Sequence, residues 1–276
     1  MEKDCVVLEE TSLEEEVSAL SQICVATKSF EWVKEETLVV AIRCDQGEHI
    51  EKLSTIEICG KQMIDWVLLA TSGCQQKVIS DCSDSELVET LKNLKTDKKY
   101  VFVIYSDLPF LQNKTFNEIM YCFASNNLNS LKLPRGYVFK SEFLPNLTDL
   151  NLSVKKSFGQ LDFERVDNAD MISKFFKIMS DKIKSYHRNS GVVLLGQETI
   201  FIDADVEIEA GAIIYPNNIL KGQTYIGKNV VLESGNVIDD SIISDDCLIL
   251  SSYISKSKVK NGQSIGPFAK LENESV

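Results

Sequence analysis

The sequence contains no block of lysine or arginine long enough to follow a phosphate backbone, and its formal net charge is −12. Duplex binding depends on neutralising phosphates with a basic surface, so nucleic acid is excluded as an expected partner. Acidic residues stand at the N-terminus, where a secretory signal needs positive charge. No window approaches the roughly 18 apolar residues of a membrane span. The sequence therefore predicts neither a nucleic-acid nor a membrane partner.

Cysteine occurs eight times, but the residues are scattered without a C-x-x-C pair or a neighbouring histidine. Zinc sites need clustered ligands, so this pattern argues against one and predicts reduced thiols in a cytoplasmic protein. Hydrophobic residues make up 44% and charged residues 25% of the 276 positions. That balance is typical of a folded globular chain with one large domain or two ordinary ones.

Residues 37–190 alternate between short apolar runs and helical patterns. The run Tyr100–Tyr105 (YVFVIY) is continuously apolar, which is typical of a strand covered on both faces. Further strands are predicted at Leu38–Ile42, Val78–Ile79, Gly136–Phe139 and Leu161–Val166, and helices at Met63–Ala70, Glu86–Leu94, Phe116–Phe123 and Ala169–Tyr186. This order predicts an α/β domain with a mainly parallel, Rossmann-like sheet, preceded by a helical extension over residues 1–36.

After residue 190 the hydrophobic period becomes six. Aliphatic residues recur at every sixth position from Ile202 to Ile238, and after one-residue slips the series continues to Leu271. So short a repeat, recurring so often, indicates a solenoid. In a left-handed parallel β-helix three such hexads form one triangular coil with the aliphatic side chains inside. Residues 191–276 are therefore predicted to form a left-handed β-helix of hexapeptide repeats, with residues such as Ile226 and Leu232 fully buried.

The corners of a β-helix need residues that tolerate a left-handed backbone. Glycine, asparagine and aspartate stand at the required spacing, namely Gly211, Asn217, Gly222, Asn229, Gly235, Asp240, Asp246 and Gly262. Such helices often carry acyltransferase sites, which commonly need histidine as general base. The sequence has two histidines, His49 and His187, and neither lies in 191–276. We therefore expect this β-helix to act as a scaffold and trimerisation element.

One candidate site follows the predicted strand Tyr100–Tyr105. Asp107 stands just beyond it, and ligands of open α/β sheets bind beyond the carboxyl ends of strands. A carboxylate there is able to hold a hard cation such as Mg²⁺ that bridges phosphate oxygens. Asp167 and Asn168, which precede the long helix, are candidates for further ligands. The alternatives are structural: Asp107 caps a turn, and Asp167 or Asn168 caps the helix.

Three short motifs occur in an order and spacing typical of one enzyme family. Ile265–Leu271 reads IGPFAKL, Ser106–Leu111 reads SDLPFL and Gly60–Met63 reads GKQM. Together with the repeats, they resemble the bifunctional N-acetylglucosamine-1-phosphate uridyltransferase/acetyltransferase family, over about residues 37–276. The resemblance implies a GT-A nucleotidyltransferase domain that binds a nucleotide and a sugar phosphate with Mg²⁺ at Asp107. It also implies a homotrimer held by the β-helix.

The segment that matches the family's glycine-rich phosphate loop departs from it. Residues 42–50 read IRCDQGEHI, and only Gly47 matches a loop glycine. In such a loop, backbone amides and an arginine neutralise phosphates. Here Asp45 and Glu48 bring negative charge, and His49 stands at the position of the arginine. The loop therefore predicts weakened phosphate binding.

Two functions of different classes follow. The first is a diverged sugar-1-phosphate nucleotidyltransferase that releases pyrophosphate. Its assigned residues are two nucleotide-binding glycines and two catalytic side chains: Gly47, Gly136, His49 and Lys52. The second is a catalytically inactive relative that acts as a trimeric ligand-binding, scaffold or regulatory protein. Nucleotidyl transfer relies on positioning and charge neutralisation, so the acidic loop weighs against rapid turnover. The sequence stops soon after Leu271, before the family's acetyltransferase coils, and we expect no acetyl transfer.

Overall fold

The computed structural model of the chain describes most of its residues, namely 31–48, 50–150, 152 and 161–276. Most of the helical extension predicted over residues 1–36 lies outside them. The chain divides into two compact units, one comprising residues up to Ile56 with Gln62–Met171, the other Glu57–Lys61 with Ile172–Val276. The sequence-based boundaries at residues 37 and 191 stay a prediction. Within the described part, no helix is both long and apolar enough to cross a membrane.

Helices and short strands alternate along the chain as far as residue 189. In chain order they are α1 (Glu31–Glu35), β1 (Thr37–Ile42), β2 (Gln46–Gly47), β3 (Ile50–Glu51), β4 (Glu57–Ile58), β5 (Lys61–Gln62), α2 (Met63–Ala70), β6 (Gln75–Ile79), α3 (Asp84–Lys92), β7 (Tyr100–Tyr105), α4 (Asn113–Ser125), β8 (Ser130–Leu133), β9 (Gly136–Lys140) and α5 (Ala169–Asn189). The helices and strands predicted from the sequence agree with these, with one exception.

Five of the strands form one sheet in the order β6-β1-β7-β9-β8. β1 lies parallel between β6 and β7, whereas β9 runs antiparallel to both β7 and β8. Helices cover both faces, so all six residues of β1 are buried. α2 and α4 pack on one face against Val39 and Phe102, and α3 packs on the other against Leu38 and Val101. The predicted α/β sheet is confirmed, but it is mixed and not mainly parallel as predicted, because two of its four strand pairings are antiparallel.

The exception is the strand predicted at Leu161–Val166, which is wrong. Leu161–Phe163 forms a 3-10 helix, and the residues after it join no strand. Asp162 is buried there and accepts hydrogen bonds from the Gln112 side chain at 3.1 Å and from the Thr115 hydroxyl. A buried carboxylate needs such partners, and the turn that directs Asp162 toward the start of α4 replaces the strand.

The second unit contains a left-handed parallel β-helix. Its strands are β10 (Val193–Leu194), β11 (Phe201–Ile202), β12 (Glu207–Ile208), β13 (Ile213–Ile214), β14 (Ile219–Lys221), β15 (Tyr225–Ile226), β16 (Val231–Leu232), β17 (Val237–Asp239), β18 (Ile242–Ile243), β19 (Leu248–Ile249), β20 (Tyr253–Ser255), β21 (Lys258–Val259), β22 (Ser264–Ile265) and β23 (Lys270–Glu272). They stack into three parallel sheets, each taking every third strand. The predicted β-helix is confirmed, and its first strand precedes Ile202.

The interior of the β-helix follows the six-residue period. Ile226 and Leu232 are fully buried, as predicted, and belong to one continuous aliphatic cluster. Where the period slips, the coil is shorter but the stacking is retained: Ile226 pairs with Ile243, and Ile238 pairs with Ile254. Each one-residue slip in the sequence is therefore a shortened corner, and the inward phase of the strands is preserved.

The corners adopt the predicted left-handed backbone. All eight residues singled out at the corners have positive φ, from 45° at Asp240 to 87° at Gly211. Other corners use residues that the sequence did not single out, such as Ser251 at 39° and Lys256 at 48°. The stacked coils impose the left-handed backbone conformation at these corners, even on residues that carry a Cβ.

A ladder of polar side chains runs inside one corner of the β-helix. Asn218, Asn236 and Ser252 occupy successive coils, and each is nearly or fully buried. The Asn236 side-chain amide donates to Asn218 Oδ1 at 2.9 Å, and Ser252 N donates to Asn236 Oδ1 at 2.8 Å. These three successive coils are thus joined by satisfied buried hydrogen bonds, as buried polar groups require.

Candidate functional site

Asp107 lies at the carboxyl end of β7, two residues after Tyr105. Its side chain is 0% exposed, and each of its two carboxylate oxygens accepts a hydrogen bond from an arginine side chain. Arg135 Nε donates to Oδ1 at 2.8 Å, and Arg165 Nε donates to Oδ2 at 2.9 Å. The Asp107 carbonyl oxygen also accepts from Val166 N at 2.8 Å. The aspartate predicted to hold a metal is thus the centre of an ion-pair cluster, which we call the Asp107 cluster (Asp107, Arg135, Arg165).

Arg135 is held in place by neighbours on two adjoining strands. It lies in the turn between β8 and β9, and its guanidinium carbon stands 4.1 Å from the centre of the Tyr105 ring. Its Nη2 donates to Cys44 Sγ at 3.5 Å, just after the end of β1. Burial raises the pKa of the Cys44 thiol, with the charge of Asp107 acting in the same direction and that of Arg135 opposing it. Burial and the contact with Arg135 therefore favour a packing role for the Cys44 thiol.

Arg165 connects the Asp107 cluster to the segment that precedes α5. Its Nη2 lies 3.2 Å from Asp167 Oδ2, while its Nε remains on Asp107. The Asp167 carbonyl oxygen accepts from Glu48 N at 2.7 Å. A Cβ added to Gly47 would approach that same oxygen to 2.5 Å. The structure therefore brings Gly47, Asp107 and Asp167 to one edge of the sheet.

The remaining candidate residues have different surroundings. Asn168 Oδ1 accepts from Met171 N at 3.0 Å, which is the helix-capping geometry considered as its alternative role. Gly136 has φ 129°, and a Cβ there would come within 2.5 Å of Val103 O, so close contact between β9 and β7 requires glycine. Lys52 is exposed with φ 58°, and His49 lies outside the described residues. The catalytic and nucleotide-binding roles of these residues stay predictions.

The Gly-Lys pair of the GKQM motif lies in the segment Glu57–Lys61, which is part of the second unit and contacts its β-helix. Lys61 Nζ lies 2.6 Å from the Asp205 carboxylate. Ala204 N donates to Cys59 O at 2.9 Å, and a Cβ on Gly60 would meet Asp203 at 2.8 Å. These contacts give both residues a structural role: Gly60 leaves space for Asp203, and Lys61 forms an ion pair with Asp205.

In this arrangement the Asp107 cluster does not fit Mg²⁺. Magnesium takes free carboxylate oxygens, usually with several waters, and both oxygens of Asp107 already accept from arginine. Two unit charges about 4 Å apart interact by about 4 kcal/mol at an effective dielectric near 20, and a divalent ion doubles the repulsion from each guanidinium. Among the residues that the structure describes, no group of three or more His, Cys, Asp or Glu side chains is placed to hold a metal.

The sequence reasoning missed Arg135 and Arg165, although a signal was present. The chain has only four arginines among its 29 basic residues. Arginine differs from lysine in offering a planar fork that matches a carboxylate. Its selective use in a lysine-rich chain, beside Gly136 and Asp167, marked these two positions.

Comparison with known proteins finds similarity to bifunctional proteins of one kind. The chain is 31% identical to the bifunctional protein GlmU of Clostridium kluyveri over 173 residues, which is 60% of this chain and 38% of that protein. It is 34% identical to the Clostridium acetobutylicum protein of that name over 172 residues, and 34% identical to the Clostridium botulinum protein over 166 residues. No family model matches the chain.

The chain spans well under half the length of these curated relatives. The α/β sheet and the β-helix agree with the resemblance inferred from the motifs. The chain is therefore similar to the bifunctional GlmU proteins over about 60% of its own length.

Proposed function

We propose that this chain is a diverged relative of the sugar-1-phosphate nucleotidyltransferases in which ligand binding is retained and rapid nucleotidyl transfer is lost. It acts in the cytoplasm as a homotrimeric binding or regulatory protein for a nucleotide or sugar phosphate. The observation that carries the proposal is the pairing of Asp107 with Arg135 and Arg165. A strand-end carboxylate whose oxygens are both engaged offers no ligand to a catalytic cation.

The loop after β1 supports the same conclusion. Gly47 lies in the short β2–β3 hairpin, where Asp45 accepts a hydrogen bond from the Ser54 hydroxyl. Glu48 is exposed beside it. Phosphate-binding loops present backbone N–H groups and cations, whereas Glu48 N is already bonded to Asp167 O. We therefore expect this loop to bind the phosphates of a nucleotide too weakly to position the α-phosphate for nucleotidyl transfer.

The β-helix supports assembly. Several large apolar side chains point outward from its flat faces: Val193 is 44% exposed, Phe201 43%, Ile242 42% and Tyr253 39%. Burying such side chains against another copy stabilises a symmetric oligomer. We also infer that the β-helix carries no acetyl transfer, because residues 191–276 contain no histidine to act as general base.

A second candidate function is a working, Mg²⁺-dependent nucleotidyltransferase, supported by the similarity to the bifunctional relatives. The observation that favours it is the exposure of Arg165, whose side chain is 48% exposed. A substrate phosphate that drew Arg165 away would free one oxygen of Asp107 and the Asp167 carboxylate, two of the predicted metal ligands, while the third, Asn168, lies next to Asp167.

One experiment separates the two. The full chain is incubated with UTP, N-acetylglucosamine-1-phosphate and Mg²⁺, pyrophosphate release is followed, and UTP binding is measured in parallel by calorimetry. The proposal expects saturable binding with no release above a blank. Release near the roughly 10 turnovers per second of a typical enzyme, lost in Asp107→Asn, would establish the second candidate instead. If the chain neither bound UTP nor released pyrophosphate, both candidate functions would be contradicted.

A further inference from the structure

The cluster around Asp107 has the charge arrangement of a metal site with guanidinium groups in place of the metal. A fully buried carboxylate at a strand end needs a counter-charge, because burying an unpaired ion is strongly unfavourable. Arg135 and Arg165 approach it from two sides and take one oxygen each. The carboxylate is thus neutralised by the chain itself.

We propose that Arg135 and Arg165 are built-in counter-ions that replace a divalent cation at Asp107 and make this sheet edge independent of metal. The two guanidiniums satisfy the same requirement that a bound cation satisfies, and they exclude one by charge and by occupying both oxygens. The inference concerns the Asp107 cluster with both arginines paired to Asp107. It does not depend on whether the chain binds the proposed nucleotide or sugar phosphate.

Each arginine is anchored by more than Asp107. Arg135 stacks on the Tyr105 ring and donates to Cys44, and its side chain is only 28% exposed. Arg165 makes its second contact with Asp167. Lysine offers no fork with which to serve two partners in this way, and the chain uses arginine at only four positions. The pairing is therefore a fixed part of the fold and not a chance surface contact, which typically contributes little.

The test is Mn²⁺ binding to the full chain, followed by the electron paramagnetic resonance signal of free Mn²⁺. Parent and Asp107→Asn are expected to give the same isotherm, because Asp107 contributes no metal site in the parent. The variant Arg135→Ala/Arg165→Ala is expected to gain one site, at least about tenfold tighter than the background of surface carboxylates. Adding Asp107→Asn to that variant should remove the gained site.

Thermal unfolding supplies a second readout. Mn²⁺ is expected to raise the Tm of the Arg135→Ala/Arg165→Ala variant more than that of the parent, since a ligand that binds only the folded state stabilises it. Arg188→Ala is the matched control, because it removes a guanidinium that bonds Gln197 in the second unit. Arg165→Lys should remain without the added site because it keeps the positive charge.

If the double variant does not fold by circular dichroism, Arg165→Ala carries the test alone, since its side chain is half exposed. The proposal is overturned if the parent loses one Mn²⁺ site on Asp107→Asn, because metal and arginines would then coexist. It is overturned equally if folded arginine-deleted chains gain no Asp107-dependent site. Neither result depends on whether the chain binds or turns over a nucleotide.

Discussion

Glu48 donates its backbone N–H to the carbonyl oxygen of Asp167 at 2.7 Å, so the hairpin after β1 is fastened to the segment before α5. This contact allows no side chain at the neighbouring Gly47, whose added Cβ would come within 2.5 Å of the same oxygen. Two segments far apart in the sequence therefore meet backbone to backbone.

Gly47→Ala is expected to destabilise the chain by about 1–3 kcal/mol, the usual range for forcing extra atoms into a packed contact. The free energy of unfolding in urea measures it. Gln46→Ala, at the exposed neighbouring position, is the control and should change stability by less than about 0.5 kcal/mol. Equal effects for the two variants would contradict the backbone contact.

Removing the exposed charge of Glu48 is expected to strengthen binding of an anionic ligand. Glu48→Thr should lower the dissociation constant for UTP by up to about fivefold, because a repulsion of up to about 1 kcal/mol is relieved at a solvent-exposed position. Calorimetry at low ionic strength measures the change, which should shrink as salt is added. Glu89→Gln, on the exposed side of α3, should leave the constant unaltered. An unchanged constant for Glu48→Thr would place the ligand elsewhere.

Truncation inside the β-helix should be severe. Ile226 is 0% exposed within the aliphatic cluster, and Ile226→Ala is expected to lower the free energy of unfolding by about 2–5 kcal/mol. Lys228→Ala, two positions along the same coil and exposed, is the control with little expected effect. A variant that melts like the parent would show that the interior is not packed as described.

Stability is expected to fall on mild acidification because of His187. This side chain is 3% exposed, its Nδ1 has no hydrogen-bond partner among the described residues, and burial lowers its pKa below 6.5. The unfolded state then binds more protons than the folded state, so stability rises with pH. The contribution is fully present above about pH 6.5, the unfolded-state value, and is lost as the pH falls through the folded-state pKa.

Urea unfolding between about pH 7.5 and 5.5 tests this linkage, since most carboxylates stay ionised in that range. His187→Gln should flatten the pH dependence of the free energy of unfolding, whereas His49→Gln should preserve it. Parallel profiles for the parent and His187→Gln would rule out the buried imidazole as the cause.

The oligomeric state is checked by sedimentation equilibrium. A trimer of three 31.0 kDa chains is expected, because the outward apolar side chains of the β-helix need cover. A single species of chain mass at micromolar concentration would contradict the proposed assembly.

The predictable parts of the fold are those in which neighbouring residues decide the conformation. The buried runs of β1 and β7 and the inward series through Ile226 follow from the alternation of side chains along a strand. Corner residues such as Gly211 follow from the backbone that a tight turn needs. The Asn218–Asn236 ladder escaped notice because the six-residue hydrophobic pattern does not include the corner positions.

The pairing of Asp107 with two arginines could not be predicted from the sequence, for a different reason. Its position at a strand end followed from the run Tyr100–Tyr105, but Arg135 and Arg165 lie 28 and 58 residues away in the sequence. Such pairs form only when the whole sheet is assembled. The selective use of arginine marked both positions in the sequence, but it did not show with which residue each arginine pairs. The strand wrongly predicted at Leu161–Val166 has the same origin, because its outcome depends on Asp162 meeting the start of α4.

The stacking of Ile226 on Ile243 across a shortened coil also bears on how such a gene is able to change. If one residue were deleted and every later residue kept its place along the coil, the inward and outward side chains of each later strand would be exchanged. Here the shorter spacing is taken up in the corner, and the hydrogen bonds that link Asn218, Asn236 and Ser252 keep successive coils aligned. We therefore expect the β-helix to tolerate small deletions at its corners, whereas a deletion within a strand reverses which side chains face the interior.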